Sequence, residues 1–211
     1  MATLGQSSHS LLVPKDSPAK TLADLKGKKI GLSVGSESHL DLIVSLKKLG
    51  LNDKTDFQLV NLQPNELPAA LEKGLVDAAL IRQPQVLRLE ESLGARKVET
   101  WPFRFTSIVR TDYLNANPDA VKRYVEALKD AVLYIATNPD QSATWFAESQ
   151  RLNPDVVKKL ASENPLYAAK TRDEIKIEID DNFKKLLAER TQAAIDNGLI
   201  KAKIDPATLT Q

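Results

Sequence analysis

Residues 29–40 of the 211-residue chain read KIGLSVGSESHL, an apolar run that passes through a small polar turn into an amphipathic pattern. The apolar residues of Lys29–Val34 predict a buried strand. His39–Leu49 carries its apolar residues on one face of a helix, and Gly50 follows where a helix C-cap belongs. This succession predicts an α/β fold, because a strand and the helix after it bury their apolar sides against each other.

The same alternation continues on both sides of this segment. A short apolar run at Ser10–Val13, closed by Pro14, precedes it. Further strands are predicted at Phe57–Leu62, Val76–Ile81, Arg96–Trp101 and Phe105–Val109, and further helices at Glu66–Lys73 and Pro84–Leu93. Strands that alternate with helices of about ten residues are typical of a parallel-type sheet covered by helices.

The second half of the chain has a different pattern and reads as all-helical. Three Asn-Pro-Asp triplets begin at Asn117, Asn138 and Asn153. Each places a good N-cap residue before a proline at the first helical position, so they predict three helix starts. The chain therefore divides near residue 112, with an α/β part first and a helical part after it.

Two further predictions concern the apolar residues of this helical part. The apolar stripe from Ile175 to Leu187 predicts a last long helix, although Ile175, Ile177 and Ile179 also alternate as in a strand. Trp145 and Phe146 are predicted to lie on the buried face of their helix.

Composition excludes several function classes. The net charge of +1 gives no basic excess of the kind that nucleic-acid binding requires. The chain has no cysteine, which excludes disulfides, thiolate nucleophiles and cysteine-ligated metals. Two scattered histidines do not make a metal site, and no serine stands in a Gly-x-Ser-x-Gly elbow. We therefore expect a binding module without cofactor or metal, and not an enzyme.

The leading candidate site is the turn from Gly35 to Ser38. It follows a strand and opens a helix, and ligands of open α/β sheets bind at the carboxyl ends of strands. A helix N-terminus offers free N–H groups and a positive dipole end, which suits a sulfonate, phosphate, nitrate or carboxylate. The alternative is that Ser36 or Ser38 only caps the helix. Glu37 would repel an anion unless it points away or meets a cationic part of the ligand.

Arg82 is the second candidate, with Gln83 after it. Arg82 follows the predicted strand Val76–Ile81, at the same sheet edge as Ser36, and arginine suits bidentate anion recognition. The alternative is a surface arginine that pairs with Glu90 or another acid. His39 could orient a ligand or be an exposed residue of the first helical turn. The aromatic residues are predicted as core or cleft wall; they are Trp101, Phe103 and Phe105.

Several motifs in this order resemble a known family. They are LADLKGKKI at 22–30 with Gly35-Ser36, LEKGLVDA at 71–78, NPDAV at 117–121 and NGLI at 197–200. Together they are similar to the type II periplasmic binding proteins of ABC transporters, within these to the nitrate, sulfonate and taurine group. The similarity runs from about Ser7 to Asp205.

The resemblance implies a two-lobed receptor that closes on its ligand at a hinge. Ser10–Val13 would be the outgoing hinge strand and Phe105–Arg110 the returning one. Residues 1–14 would form the hinge strand with the preceding loop, 15–111 the α/β second lobe, and 112–211 a helical segment of the first lobe. The predicted ligand-binding residues are Ser8, His9, Gly35, Ser36, Glu37, Ser38, His39, Arg82 and Gln83.

The resemblance also implies a small organic or inorganic anion as ligand, an ABC-transporter permease as partner and a periplasmic or extracytoplasmic location. No signal peptide precedes the motifs, and the family's first βαβα unit would stand before Ser7, so we expect a truncated receptor that binds weakly. Its orphaned helical face is expected to support a homodimer. Two alternatives share the fold: a thiamine-pyrimidine-type receptor and the effector domain of a LysR-type regulator.

Overall fold

The computed structural model describes residues 2–150, 152–201 and 204–205, and strands and helices alternate in it up to Ser107. The strands are β1 (Ala2–Val13), β2 (Lys29–Leu32), β3 (Gln58–Asn61), β4 (Ala78–Arg82) and β5 (Arg96–Ser107). The helices among them are α1 (Glu37–Lys48), α2 (Leu67–Glu72) and α3 (Gln85–Leu93). The helices after β5 are α4 (Thr111–Ala116), α5 (Pro118–Thr137), α6 (Pro139–Gln150), α7 (Pro154–Ser162) and α8 (Asp181–Asp196).

The five strands form one mixed sheet in the order β3-β2-β4-β1-β5. β2 pairs in parallel with β3 and with β4, whereas β1 pairs antiparallel with β4 and sets His9 opposite Arg82. The predicted fold class, a mixed sheet flanked by helices and followed by a helical segment, is confirmed. The two strands predicted at the end of the α/β part are one long strand, β5.

Successive residues of the central strands point to opposite faces of the sheet, and each face has its own apolar core. Leu11 and Val13 of β1 pack on one face with residues of α1 such as Leu42. Leu12 packs on the other face with residues of α2 and α3. Because a strand reverses its side chains at every residue, the same short apolar run serves both cores.

The contacts divide the chain into two units. Unit 1 contains the described residues of 1–7 and 104–185, and unit 2 contains those of 8–103 and the described residues from Leu186 to Asp205. In the described part of the chain, it passes between them three times, within β1 after Ser7, within β5 after Phe103 and within α8 after Lys185. The predicted assignment of segments to receptor lobes and to a hinge stays a prediction.

The three helix starts predicted in unit 1 are confirmed, at Pro118, Pro139 and Pro154. The predicted capping hydrogen bond forms at Asn153, whose side chain accepts from the Asp155 N–H at 2.8 Å. Asn138 instead donates from its side chain to the carbonyl of Tyr134 at 3.0 Å. The proline at the first helical position is therefore the feature that all three starts share.

The prediction that Trp145 and Phe146 lie on a buried face is wrong, since they are 53% and 47% exposed. The buried residues of α6 are Ala143 and Ala147, one helical turn apart, and they pack with Val157 of α7. Two alanines let the helices approach closely, and this packing turns the larger aromatic side chains outward.

The prediction of a helix from Ile175 is also wrong. Ile175 and Ile177 are fully buried in a non-helical stretch, and the Thr3 N–H donates to the carbonyl of Ile177 at 2.7 Å. The helix begins at Asp181, after Asp180 accepts a hydrogen bond from the Phe183 N–H at 2.7 Å.

Among the described residues, no helix combines the length and the apolarity that a membrane crossing requires.

Candidate functional site

The turn between β2 and α1 has the local geometry that its sequence predicts. Gly35 has φ of 84°, a left-handed conformation that glycine adopts without strain. Ser36 is the N-cap, and its Oγ accepts a long hydrogen bond of 3.4 Å from the His39 N–H. The same Oγ lies 2.9 Å from Ser38 Oγ. The capping role of Ser36 is confirmed, and capping leaves other donors of the turn unused.

The side chain of His39 stabilises the turn through its two ring nitrogens. It is buried, its Nδ1 accepts a hydrogen bond from the Gly35 N–H at 3.1 Å, and its Nε2 lies 3.2 Å from Asp53 Oδ2. Because Nδ1 is the acceptor, the proton must be on Nε2 and is donated to the carboxylate. Both ring nitrogens are therefore engaged inside the protein, and the position of His39 supports the turn.

Two backbone donors at the start of α1 remain for a ligand. The N–H groups of the first helical turn have no partner within the helix. His39 and Leu40 direct theirs to Ser36, and in the described part of the chain the N–H groups of Glu37 and Ser38 have no such partner. The positive end of the helix dipole lies at the same place, so the turn favours a negatively charged group.

Arg82 lies at the same sheet edge as this turn. In the parallel pairing, Ile30 faces Ala78 and Gly31 faces Ala79. Because β2 and β4 run in the same direction, the turn after β2 and Arg82, the last residue of β4, lie at the same edge of the sheet. Ala78 and Leu80 point toward the α1 side, and Arg82 follows them by the same alternation. Arg82 is exposed, and its guanidinium carbon lies 5.0 Å from the centre of the Phe103 ring.

The alternative partner considered for Arg82 is engaged elsewhere, since Glu90 forms an ion pair with Lys97 at 3.0 Å. His9, opposite Arg82 in the sheet, is fully buried, and its ring stacks on Phe103 with centroids 5.6 Å apart. The Phe103 ring therefore contacts both the buried His9 ring and the exposed Arg82 guanidinium. Phe105 is 47% exposed.

Ser8 and Gln83 are joined through their backbones. The Gln83 N–H donates to the carbonyl of Ser8 at 3.2 Å, and the Gln83 side-chain oxygen accepts from the Leu87 N–H at 3.4 Å. The Gln83 side chain therefore satisfies an N–H group in the first turn of α3. Both residues are half-buried beside the His9–Arg82 pair.

Arg190 of α8 is the residue that sequence reasoning missed. Its Nη2 lies 2.8 Å from Asp41 Oδ1, and its Nε lies 3.3 Å from Glu37 Oε1. Asp41 also lies 2.9 Å from His9 Nε2 through its other oxygen. The only local signal was the pair of acids at 37 and 41, because like charges one helical turn apart repel unless a cation lies between them.

These contacts at Asp41 are close but poorly aligned. Within the described residues, the ring nitrogens of His9, Asp41 Oδ2 and Arg190 Nη2 lack a partner in hydrogen-bond geometry. The attraction between Asp41 and Arg190 is therefore mainly electrostatic. Burial strengthens it, since the side chain of Asp41 is 8% exposed and that of Arg190 is 28% exposed.

A cavity of about 240 Å³ opens between the turn and α8. Gly35, Ser36 and Glu37 line it on one side and Arg190 and Thr191 on the other. Of the predicted site residues in the described chain, these three reach the cavity, whereas Arg82 and Ser38 do not line it. Among the described residues, no group of three histidine or acidic side chains could hold a metal ion.

Comparison with known proteins connects this geometry to a family. The family described as NMT1/THI5 like matches residues 1–142. The chain belongs to the NMT1/THI5-like family. A taurine-binding periplasmic protein of Escherichia coli (strain K12) is 31% identical over 144 residues, which are 65% of this chain and 42% of that protein.

Solved structures share the fold of this NMT1/THI5-like chain. The alkanesulfonate-binding protein SsuA of Xanthomonas axonopodis pv. citri, bound to MOPS, matches with a TM-score of 0.79 at 24% identity, over 99% of this chain and 72% of that one. The periplasmic aliphatic sulphonate binding protein SsuA of Escherichia coli matches with a TM-score of 0.76 at 22% identity, over 100% and 69%. The resemblance to type II periplasmic binding proteins is confirmed.

The fold also occurs in an enzyme. The desulfurization enzyme DSZB matches with a TM-score of 0.66 at 20% identity, over 99% of this chain and 76% of that one. The chain spans between 42% and 60% of the length of the curated relatives compared with it. Its own ligand must therefore be argued from its own residues.

Proposed function

We propose that this chain is the solute-binding part of an ABC importer for aliphatic sulfonates or related small anions, and that it works outside the cytoplasm with a permease as partner. The observation that carries the proposal is the start of α1, where the N–H groups of Glu37 and Ser38 are unengaged in the described chain. Arg82 lies at the same sheet edge. Oriented N–H groups and a guanidinium are the donors that a sulfonate accepts best.

Calorimetric titration tests this proposal with ethanesulfonate, taurine and nitrate, up to millimolar concentrations. We expect a sulfonate to bind, and we expect Arg82→Gln to weaken that binding by about tenfold or more, since a charge-assisted hydrogen bond is worth about 1.5–3 kcal/mol. Arg88→Gln is the matched control, because Arg88 lies on α3 and pairs with Glu72. Equal loss in both variants, or no binding of any anion, would contradict the proposal.

We infer a binding role and not a catalytic one. The sequence has no cysteine, and its two histidines are buried. His39 uses both ring nitrogens inside the protein. A one-dimensional proton spectrum of ethanesulfonate after prolonged incubation with the protein tests this: unchanged ligand is expected, and product signals would contradict the inference.

A homodimer remains part of the proposal for the helical face of unit 1. The large exposed side chains there include Tyr124, Tyr134, Trp145 and Phe146. Sedimentation at increasing protein concentration tests it, and a monomer at all concentrations would remove this part alone.

A further inference from the structure

Arg190 contacts both acids of the α1 start, Glu37 and Asp41. Its guanidinium reaches Glu37 at 3.3 Å and Asp41 at 2.8 Å, and it also lines the cavity beside Gly35 and Ser36. Glu37 is the more accessible of the two acids, with its side chain 37% exposed against 8% for Asp41. A ligand at the turn would therefore meet the charge of Glu37 first.

The charge of Glu37 matters in opposite ways for two kinds of ligand. An unpaired carboxylate at this position repels the anionic group of any sulfonate. The same carboxylate attracts a ligand that also carries an ammonium group. Taurine and ethanesulfonate differ only by that ammonium group, so together they measure whether Glu37 is free.

We propose that Arg190 is a positioning residue that sets the ligand class of the α1 turn, because its pairing with Glu37 withdraws this carboxylate from the ligand. This rests on the proposed function. With Arg190 in place, the turn presents N–H groups and no free carboxylate from Glu37, which selects simple alkanesulfonates over aminosulfonates. Without Arg190, Glu37 becomes a partner for an ammonium group.

The test is calorimetry on the full chain. In each variant, the dissociation constant of taurine is compared with that of ethanesulfonate. In the unaltered protein we expect taurine to bind no better than ethanesulfonate. In Arg190→Gln we expect the ratio of the taurine to the ethanesulfonate dissociation constant to fall by about tenfold, the effect of about 1.4 kcal/mol from one nearby charge. A purely structural role would change both constants by the same factor and leave the ratio unchanged.

Two more variants keep the test decisive. In the double variant Arg190→Gln/Glu37→Gln the ratio should return to that of the unaltered protein, and a ratio that stays low would overturn the assignment. Glu37→Gln alone, in which Arg190 remains, should leave the ratio unchanged; a ratio that rises severalfold would show that the ligand senses Glu37 despite Arg190. This second variant decides the matter if Arg190→Gln does not fold. Arg88→Gln is the control for a lost surface arginine.

The outcomes separate this assignment from the proposed function. If the unaltered chain binds neither sulfonate, the proposed function fails and the assignment fails with it. If the chain binds ethanesulfonate and Arg190→Gln keeps the original ratio, the assignment alone fails.

Discussion

Units 1 and 2 use their apolar residues in different ways. In unit 2 both faces of the sheet are covered, and residues such as Leu11, Leu12 and Leu42 are fully buried. In unit 1 the 20-residue helix α5 has one buried residue, Val132, while Tyr124 on the same helix is 53% exposed. A cavity of about 270 Å³ lies beside Tyr124 and Ile108. The candidate site therefore lies in the unit with the more complete core, which can hold hydrogen-bond donors in fixed positions.

The largest expected effect is on the core of unit 2. Leu42→Ala removes a fully buried side chain of α1 and should lower the free energy of unfolding by about 2–5 kcal/mol. Each unit contains one tryptophan, Trp101 in unit 2 and Trp145 in unit 1, so single-tryptophan variants report each unit by fluorescence in urea.

The transition reported by Trp101 should shift more than the one reported by Trp145, because Leu42 packs in a core of unit 2. Leu49→Ala is the control, because Leu49 ends the same helix and is 54% exposed. Equal shifts of both reporters would show that the two units unfold together, and this result would contradict the prediction.

A smaller loss is expected at the support of the turn. His39→Ala leaves the buried Asp53 carboxylate and the Gly35 N–H without their partner, which should cost about 1–3 kcal/mol of unfolding free energy. A double-mutant cycle with Asp53→Ala isolates the interaction between the two side chains. Additive losses would show that His39 and Asp53 do not depend on each other.

The pattern of strands and helices in unit 2 could be predicted from the sequence because it is local. Alternation and apolar runs located β2, α1 and β4, and glycine at the left-handed position marked the end of α1. The ion pairs of Arg190 could not be predicted, because Glu37 and Arg190 lie far apart in the chain and meet only in the folded unit. The sequence pattern predicted the turn, whereas the pairing of Arg190 with Glu37 is visible only in the three-dimensional structure.

The helical part was harder for a related reason. Periodicity identifies an apolar face but does not say which side of it packs, and on α6 the alanines pack while Trp145 and Phe146 face outward. Ile175 and Ile177 are buried as expected of isoleucines, although in non-helical backbone. The burial of these two isoleucines could be predicted from their apolar side chains. Their backbone conformation depends on neighbours in the fold that the sequence does not reveal.

A loss of about 1 kcal/mol is expected when Gly35 becomes alanine, from its positive φ alone. Gly74→Ala is a matched control, because Gly74 also has positive φ and a Cβ would meet nothing within 4 Å at either position. Urea unfolding should give similar losses for both variants, whereas calorimetry should show weaker ethanesulfonate binding only for Gly35→Ala. Weakened binding in both would place the effect in general stability.

The smallest effect concerns the acid response of unit 1. The Arg172 guanidinium, by hydrogen bonding and by its charge, holds the pKa of Glu126 below its usual value. A carboxyl group whose pKa is lower in the folded state stabilises the fold above its unfolded pKa, near 4.3, and this stabilisation is lost as the pH falls through the folded pKa.

Glu126→Gln should therefore flatten the loss of stability between about pH 5 and pH 3, measured by Trp145 fluorescence in urea. The exposed Glu148 of α6 supplies the control variant Glu148→Gln. A slope unchanged by Glu126→Gln would show that this ion pair does not contribute to the acid response of unit 1.

Amide chemical-shift mapping can locate a small anion bound at the start of α1 in unit 2. Titration of the ¹⁵N-labelled chain with ethanesulfonate should shift the N–H signals of Glu37 and Ser38 first and most, while the neutral ethanesulfonamide leaves them in place. Shifts that concentrate instead on Val121 and Tyr124, which line the cavity of unit 1, or no shifts at millimolar ligand, would contradict binding at the start of α1.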